Sequence, residues 1–471
     1  MREGAPVPAS RAADDRHPRD RLRRELGLGA ATLLAVSSVV GSGIFFTPGR
    51  IAGLIPDVQW ILVLWLVGGL LSLAGALANA ELGAMYPHAG GDYVYLREAF
   101  HPSAGFLVGW LTFFAIYAGT IATLAAAFGE GLGSFAGYDT RPGSLGVLAV
   151  AVGVTVATSL VNYLGVRFGA WANNLTASLK ILALLALAAV APFTGAGDVS
   201  HFTQPVPDVA FGASAFGLAL SPVLFTYLGW NAAVYVASEI RDPGRNVPRS
   251  LFGGLAICTG LYLVLNAVYI YAIPLDTLRH VGNAGEAAAR VLLGGAGGTV
   301  VAVFVLASIL GTLNATVLVG PRIAYAMALD RLFFRGVDAT HPRFGTPHVA
   351  IGLQGVVSVA LLILFQRFPS SLFASALDYT VFAIVLATMA DTLALYRLRR
   401  LQPERPRPYR AWGYPWLPAV YLVANAWIAF EMVRQRPFEC AVGLAVAATG
   451  WPFYAAFRRR GGGPGGRLDE G

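Results

Sequence analysis

One lysine stands among the 34 basic residues of this 471-residue chain, and it sits where a charge is least welcome. Lys180 lies in the largely apolar stretch 171–191, while every other basic residue is an arginine. A lysine ammonium is a compact point charge that can release its proton when dehydrated; a guanidinium stays protonated. An ionisable group at membrane depth costs about 2.5–3.5 kcal/mol on insertion scales and marks a functional site by default. The plainer alternative is a structural lysine that snorkels or hydrogen-bonds between helices.

Two other stretches bear polar chemistry without charge. Val39-Val40-Gly41-Ser42-Gly43-Ile44-Phe45 puts two glycines around a serine inside an apolar run. Each glycine weakens a helix by about 1 kcal/mol relative to alanine. A break here would turn backbone N–H groups and the positive end of a half-helix toward an anion, so a carboxylate is held without any arginine. The alternative is a glycine patch for close helix packing. Further along, Phe225-Thr226-Tyr227-Leu228-Gly229-Trp230-Asn231 follows Ser221-Pro222. Unwound carbonyls there would attract an ammonium group. The competing reading is a proline kink with aromatic packing. Amides for a carboxylate and carbonyls for an amine together describe a zwitterionic α-amino acid.

These stretches must be positioned by membrane helices. The chain is 56% hydrophobic and 13% charged, with a mean hydropathy of +0.61. That composition belongs to a polytopic membrane protein. About twelve spans are expected, near 27–51, 58–85, 103–133, 144–163, 168–192, 212–239, 249–273, 297–329, 347–365, 370–397, 415–434 and 438–457. The two breaks then fall in spans one and six, and discontinuous helices in corresponding halves point to a transporter with inverted repeats. Arginines cluster within 16–24, 241–249, 397–410 and 458–460. The opposite side holds only Arg141, Arg279, Arg290, Arg367, Arg434 and Arg436, with Arg50 at one helix end. The positive-inside rule places both termini in the cytoplasm. No cleavable signal peptide is evident, and the polar tails 1–25 and 458–471 read as cytoplasmic, disordered over 1–25 and 461–471.

The same composition excludes other classes. The net charge of +8 is mostly loop and tail arginine, which serves topology and argues against a nucleic-acid partner. Cys258 and Cys440 lie in apolar runs and read as small core residues. No metal-ligand spacing, nucleophile elbow, Walker sequence or zinc-protease motif occurs, so no cofactor, metal or enzymatic activity is expected. Glu81, Asp92, Arg97 and Glu98 read as solvated loop charges, with a cytoplasmic gate network as the alternative. Glu130, near the outer end of span three, reads as a guard of the entry path or an interfacial charge; on span ten, Asp378 lies near the outer side, open to a vestibule or proton-path role, and Asp391 near the cytoplasmic end.

The stretches GSGIF, AELGAMYPHAGGDYVYLREAF (80–100), FTYLGWNAAVYVASEIRDPGRNVPRSL (225–251) and NATVLVGPRIAYAMALDRLFF (314–334) resemble the amino acid–polyamine–organocation superfamily. The bacterial L-type amino acid transporter branch is the nearest in pattern. The resemblance extends from Arg24 to Tyr454. It implies an all-α LeuT-like fold, with inverted five-helix repeats over 27–192 and 212–397 and two added helices over 415–457. The transporter domain is thus 26–457. By resemblance, Ser42, Gly43 and Ile44 offer amides to the substrate carboxylate, and Phe225, Thr226 and Leu228 offer carbonyls to its amine. Tyr227 and Trp230 form a gate or wall. Lys180 matches the fifth-span lysine that replaces a sodium ion in sodium-independent members, with Thr312 and Asn314 nearby.

Two departures from the family pattern refine the expectation. Leu228 stands where members that take cationic substrates carry an aspartate, which favours neutral substrates. The loop 134–144 lacks the cysteine that links animal L-type transporters to a glycoprotein, so no disulfide-linked heavy chain is expected. The expected activity is sodium-independent secondary transport of neutral L-amino acids across the cell (inner) membrane. It is exchange if Lys180 keeps its proton and proton symport if it does not. A non-transporting receptor or scaffold, or a polyamine or cationic amino acid permease, is the alternative.

Overall fold

The computed structural model describes residues 20–41, 43–141, 143–206, 212–367, 371–435 and 437–460. Helices account for every long element among them. In chain order these are α1 (Leu28–Val39), α2 (Gly43–Ala52), α3 (Val58–Met85), α4 (Asp92–Ala99), α5 (Pro102–Leu111), α6 (Ala118–Ala136), α7 (Leu145–Tyr163) and α8 (Val166–Val190). Then follow α9 (Ala213–Tyr227), α10 (Ala232–Tyr235), α11 (Pro243–Ala272), α12 (Leu275–Leu278), α13 (Ala284–Val319) and α14 (Pro321–Leu329). The chain closes with α15 (His348–Arg367), α16 (Ser371–Leu401), α17 (Trp416–Gln435) and α18 (Pro437–Arg460).

Nine helices among the described residues are long and apolar enough to cross a membrane, or ten with the bent pair α1–α2. Shorter apolar helices at Ala215–Tyr227 and His348–Leu364 lie where spans six and nine are expected. A mean hydropathy near 2 over α3, α7 and α8 is what hydrocarbon selects. Large apolar side chains such as Leu160, Trp171 and Leu182 face outward on these helices, as lipid contact requires.

The first span, over 27–51, is two helices bent by 45°, with the break expected near Gly41. Other boundaries differ from expectation. The eighth is longer than 297–329, because α13 starts at Ala284 and turns at Gly294, whose φ of +74° suits glycine. A π-helical turn, Thr112–Tyr117, joins α5 to α6 inside the third span. The end of the amino-terminal tail is docked rather than disordered. Leu22 is buried, Tyr325 donates to Asp20, and Leu26 exchanges backbone hydrogen bonds with Glu239 and Arg241. Residues 1–19 and 461–471 of the expected tails lie outside the described residues.

The core lies where α1, α3 and α11 meet. Trp65, Tyr227 and Tyr262 are fully buried there, with ring centroids 5.1–6.2 Å apart. Edge-on aromatic pairs of this kind add about 0.5–1.5 kcal/mol each beyond their buried area.

Candidate functional site

Interruption of α1 starts from its last residues. Val40 leaves the helical region, and Gly41 bonds back only to Val39. The carbonyls at the end of α1 lack helical partners, as at any helix end. Lys180 on α8 answers them: Nζ donates to Val40 O at 3.0 Å and Ser37 O at 3.4 Å. It also donates to Thr312 Oγ1 at 2.9 Å, and Thr312 in turn donates toward Ser37 O at 3.0 Å. Ser308 Oγ completes the set on Val40 O at 3.2 Å. A cation at a helix carboxyl end is electrostatically favoured, more so when dehydrated. Lys180 is only 3% exposed and does not line the cavity; it fixes the strand of backbone that does.

The second interruption follows α9. Leu228 N–H bonds to Phe225 O at 3.1 Å, and Gly229 takes a φ of +99° before α10 resumes. A Cβ on Gly229 would come within 2.7 Å of Ser38 O. One on Gly43 would come within 2.9 Å of the Thr226 side chain. Each break therefore uses a glycine to let the other approach. Thr47 and Thr226 hydroxyls meet at 3.2 Å, and Tyr262 OH reaches Val39 O and Thr226 O at 3.0 and 3.1 Å.

Between the breaks lies a cavity of about 360 Å3. Gly43, Phe225, Thr226, Leu228 and Thr312 line it, among the residues expected to form the site. Ile44 is fully buried beside it, where only its N–H at the start of α2 is placed to serve. Ser42 lies outside the described residues. Three expectations need correction. Tyr227 points away, donating to Trp65 O at 3.0 Å, because that direction satisfies its hydroxyl in the aromatic core. Trp230 packs on Tyr421 at 6.5 Å and likewise does not line the cavity. Asn314 does not join Lys180. Two residues on from Thr312 it faces another side of α13, accepting from Asn162 at 2.9 Å and donating to Gly169 O at 3.0 Å.

Four threonines of the remaining walls were not singled out from sequence. Thr120 and Thr123 on α6, Thr316 beside the expected Thr312 on α13, and Thr388 on α16 face the cavity. Their i, i+3 and i, i+4 spacings on otherwise apolar helices are the signal that would have found them. Asn231, Tyr235, Tyr117 and Asp92 line its floor. Asp92 is 1% exposed and Glu81 is fully buried, which overturns their reading as solvated charges. Glu81 receives Arg399 at 2.6 Å and Arg407 at 3.2 Å.

Two ion pairs tie α14 and the residue that follows it to neighbouring segments. Arg322 on α14 holds Glu239 through 2.7 and 3.1 Å bonds, both side chains almost wholly buried. Arg97 pairs with Asp330, which also accepts from Tyr93 OH at 2.5 Å. Glu130, by contrast, is exposed at the far end of α6, and nothing is assigned to the Asp378 side chain, which lies outside the described set. Among the described residues no group of acidic, histidine or cysteine side chains could hold a metal ion. Cys258 and Cys440 are both buried.

A family model described as "Amino acid permease" matches residues 26–456. The serine/threonine exchanger SteT of Bacillus subtilis is 28% identical over 93% of this chain and 98% of its own length. The human b(0,+)-type amino acid transporter 1 is 28% identical over 93% of this chain and 88% of its own. The human large neutral amino acids transporter small subunit 2 is 27% identical, covering 92% and 80% respectively.

Proposed function

From the premise that the chain belongs to the amino acid permease family and is a multi-pass membrane transporter of amino acids, we propose that it exchanges neutral L-amino acids without sodium. The observation that carries this reading is the Lys180 ammonium on the Val40 and Ser37 carbonyls. A fixed cation occupies the place where a sodium ion would need oxygen ligands free. Neutral selectivity is supported by Leu228 at the second break and by walls of Thr, Leu, Ile and Phe, with Asp92 on the floor as the one charged side chain among the described lining.

The substrate carboxylate binds at the amides of 42–44 and its amine at the carbonyls of Phe225, Thr226 and Leu228. The threonine-rich walls take the side chain. Of those carbonyls, Phe225 and Thr226 already accept one bond each, from Leu228 N–H and Tyr262 OH, leaving a second lone pair for an ammonium. The fold reads as inverted repeats over 27–192 and 212–397, with 415–457 added and the whole transporter domain at 26–457. The cell membrane is its location, with both termini cytoplasmic, and no disulfide-linked partner chain is needed. Exchange follows if the ammonium stays charged throughout the cycle, as its three acceptors favour.

Purified protein screened by thermal shift against the common amino acids tests the selectivity. Stabilisation grows with ligand concentration over dissociation constant, so neutral substrates should raise the melting temperature and arginine, lysine and polyamines should not. Proteoliposomes preloaded with a stabilising amino acid should then take up labelled amino acid in sodium-free buffer. Uptake that requires sodium, or binding with no flux at all, rejects the proposal.

A further inference from the structure

A second acidic side chain lies behind the cavity floor. Asp391 on α16 is fully buried, with its carboxyl neighbouring that of Asp92 on α4 and the Asn79 side chain of α3. No donor is settled on either Asp391 oxygen, and the Asn79 amide and Tyr95 hydroxyl beside it are buried without partners. Asp92 Oδ2 accepts from Tyr235 OH at 2.5 Å, and Asp92 lines the cavity directly. The titratable groups facing the pair are tyrosines: Tyr95 on α4, Tyr117 in the π-helical turn, Tyr235 on α10 and Tyr421 on α17. No arginine, lysine or histidine is among the groups acting on either carboxyl, among the described residues.

Two neighbouring carboxylates buried without a cation cannot both stay ionised; one proton between them removes the repulsion. Burial pushes the Asp92 carboxyl above its usual range. Tyr235 satisfies Asp92 Oδ2, which leaves Asp92 Oδ1 and the Asp391 oxygens to take the shared proton.

We propose that Asp92 and Asp391 form a proton-binding site at the floor of the amino acid cavity, and that its proton holds the cytoplasmic passage shut. The proton enters from water in the cavity onto Asp92 and sits between the two carboxyl oxygens. It bonds α4, which also carries Arg97 of the Arg97–Asp330 pair, to α16. When it leaves to water, two anions face each other and drive α4 from α16. Tyr235 ties the same event to α10, the half-helix that carries Glu239's segment. The proton is not a transported partner in this scheme; it shifts the balance between closed and open forms, as any ligand with unequal affinity for two states must.

The functional consequence rests on the exchange reading above, but the site itself is testable without transport. Infrared spectra of full-length protein at neutral pH should show a protonated carboxyl stretch that disappears in Asp391→Asn and in Asp92→Asn. Both variants are near-isosteric, and Asp92→Asn serves where Asp391→Asn fails to elute as a single species. In proteoliposomes loaded and bathed at equal pH, exchange of L-threonine should rise at least about threefold from about pH 6 to about pH 9 in the native protein and stay flat in Asp391→Asn. Superimposable spectra, a band displaced by sodium ions rather than by alkali, or an unchanged pH profile in Asp391→Asn would each overturn the proposal. A band lost in the variants together with no exchange of any amino acid by the native protein would reject the exchanger and support the proton site.

Discussion

Replacing Lys180 with alanine would leave the Val40 and Ser37 carbonyls facing a dehydrated gap. Charge-assisted hydrogen bonds are worth about 1.5–3 kcal/mol each, so exchange should fall by at least about tenfold while membrane insertion persists. Lys180→Arg should fare no better despite its charge. Gly311 brings α13 so close that a Cβ there would lie 2.9 Å from Lys180 Cε, which leaves no room for a planar guanidinium. Full exchange by either variant would remove the lysine from the mechanism. Gly229→Ala joins a positive φ to a 2.7 Å clash with Ser38 O. It should cost about 1–3 kcal/mol and be read as a lowered melting temperature of the purified protein.

At the level of elements, the two half-helices are held by different means. The end of α1 is held electrostatically by Lys180, and the turn after α9 is held sterically by Gly229 and through Tyr262. A buried ion pair ties α14 to the segment after α10. Arg322→Ala abandons a buried carboxylate and should destabilise the protein by about 3–5 kcal/mol. Arg322→Met combined with Glu239→Leu removes both charges and should be milder than either single change. Thermal unfolding of the four variants decides; a double variant worse than Arg322→Ala would show that Glu239 has another partner. Helix α4 is short, yet it carries Asp92 to the cavity floor because Gly90 and Gly91 turn the chain sharply before it.

For the whole molecule, the arginine distribution predicts both ends on one side of the membrane. A fluorescent-protein fusion after Gly471 should mature and fluoresce in the bacterial cytoplasm, and a periplasmic phosphatase fusion at the same point should stay inactive. The reverse pattern would invert the whole topology.

Hydropathy, arginine bias and the glycine-interrupted runs are properties that local sequence carries on its own, because solvation and helix propensity act residue by residue. They determined a polytopic helical transporter, breaks near Gly41 and Gly229, and an uncommon lysine at membrane depth. Direction of side chains was another matter. Only packing decided that Tyr227 would turn into the Trp65–Tyr262 cluster, that Asn314 would brace α7 and α8 away from Lys180, and that the charges at Glu81 and Asp92 would be buried. Asp92 and Asp391 are 299 residues apart in sequence and become neighbours only when α4 folds back against α16. Juxtapositions of that kind have no local signature, since the energy that makes them belongs to the assembled bundle and not to either segment.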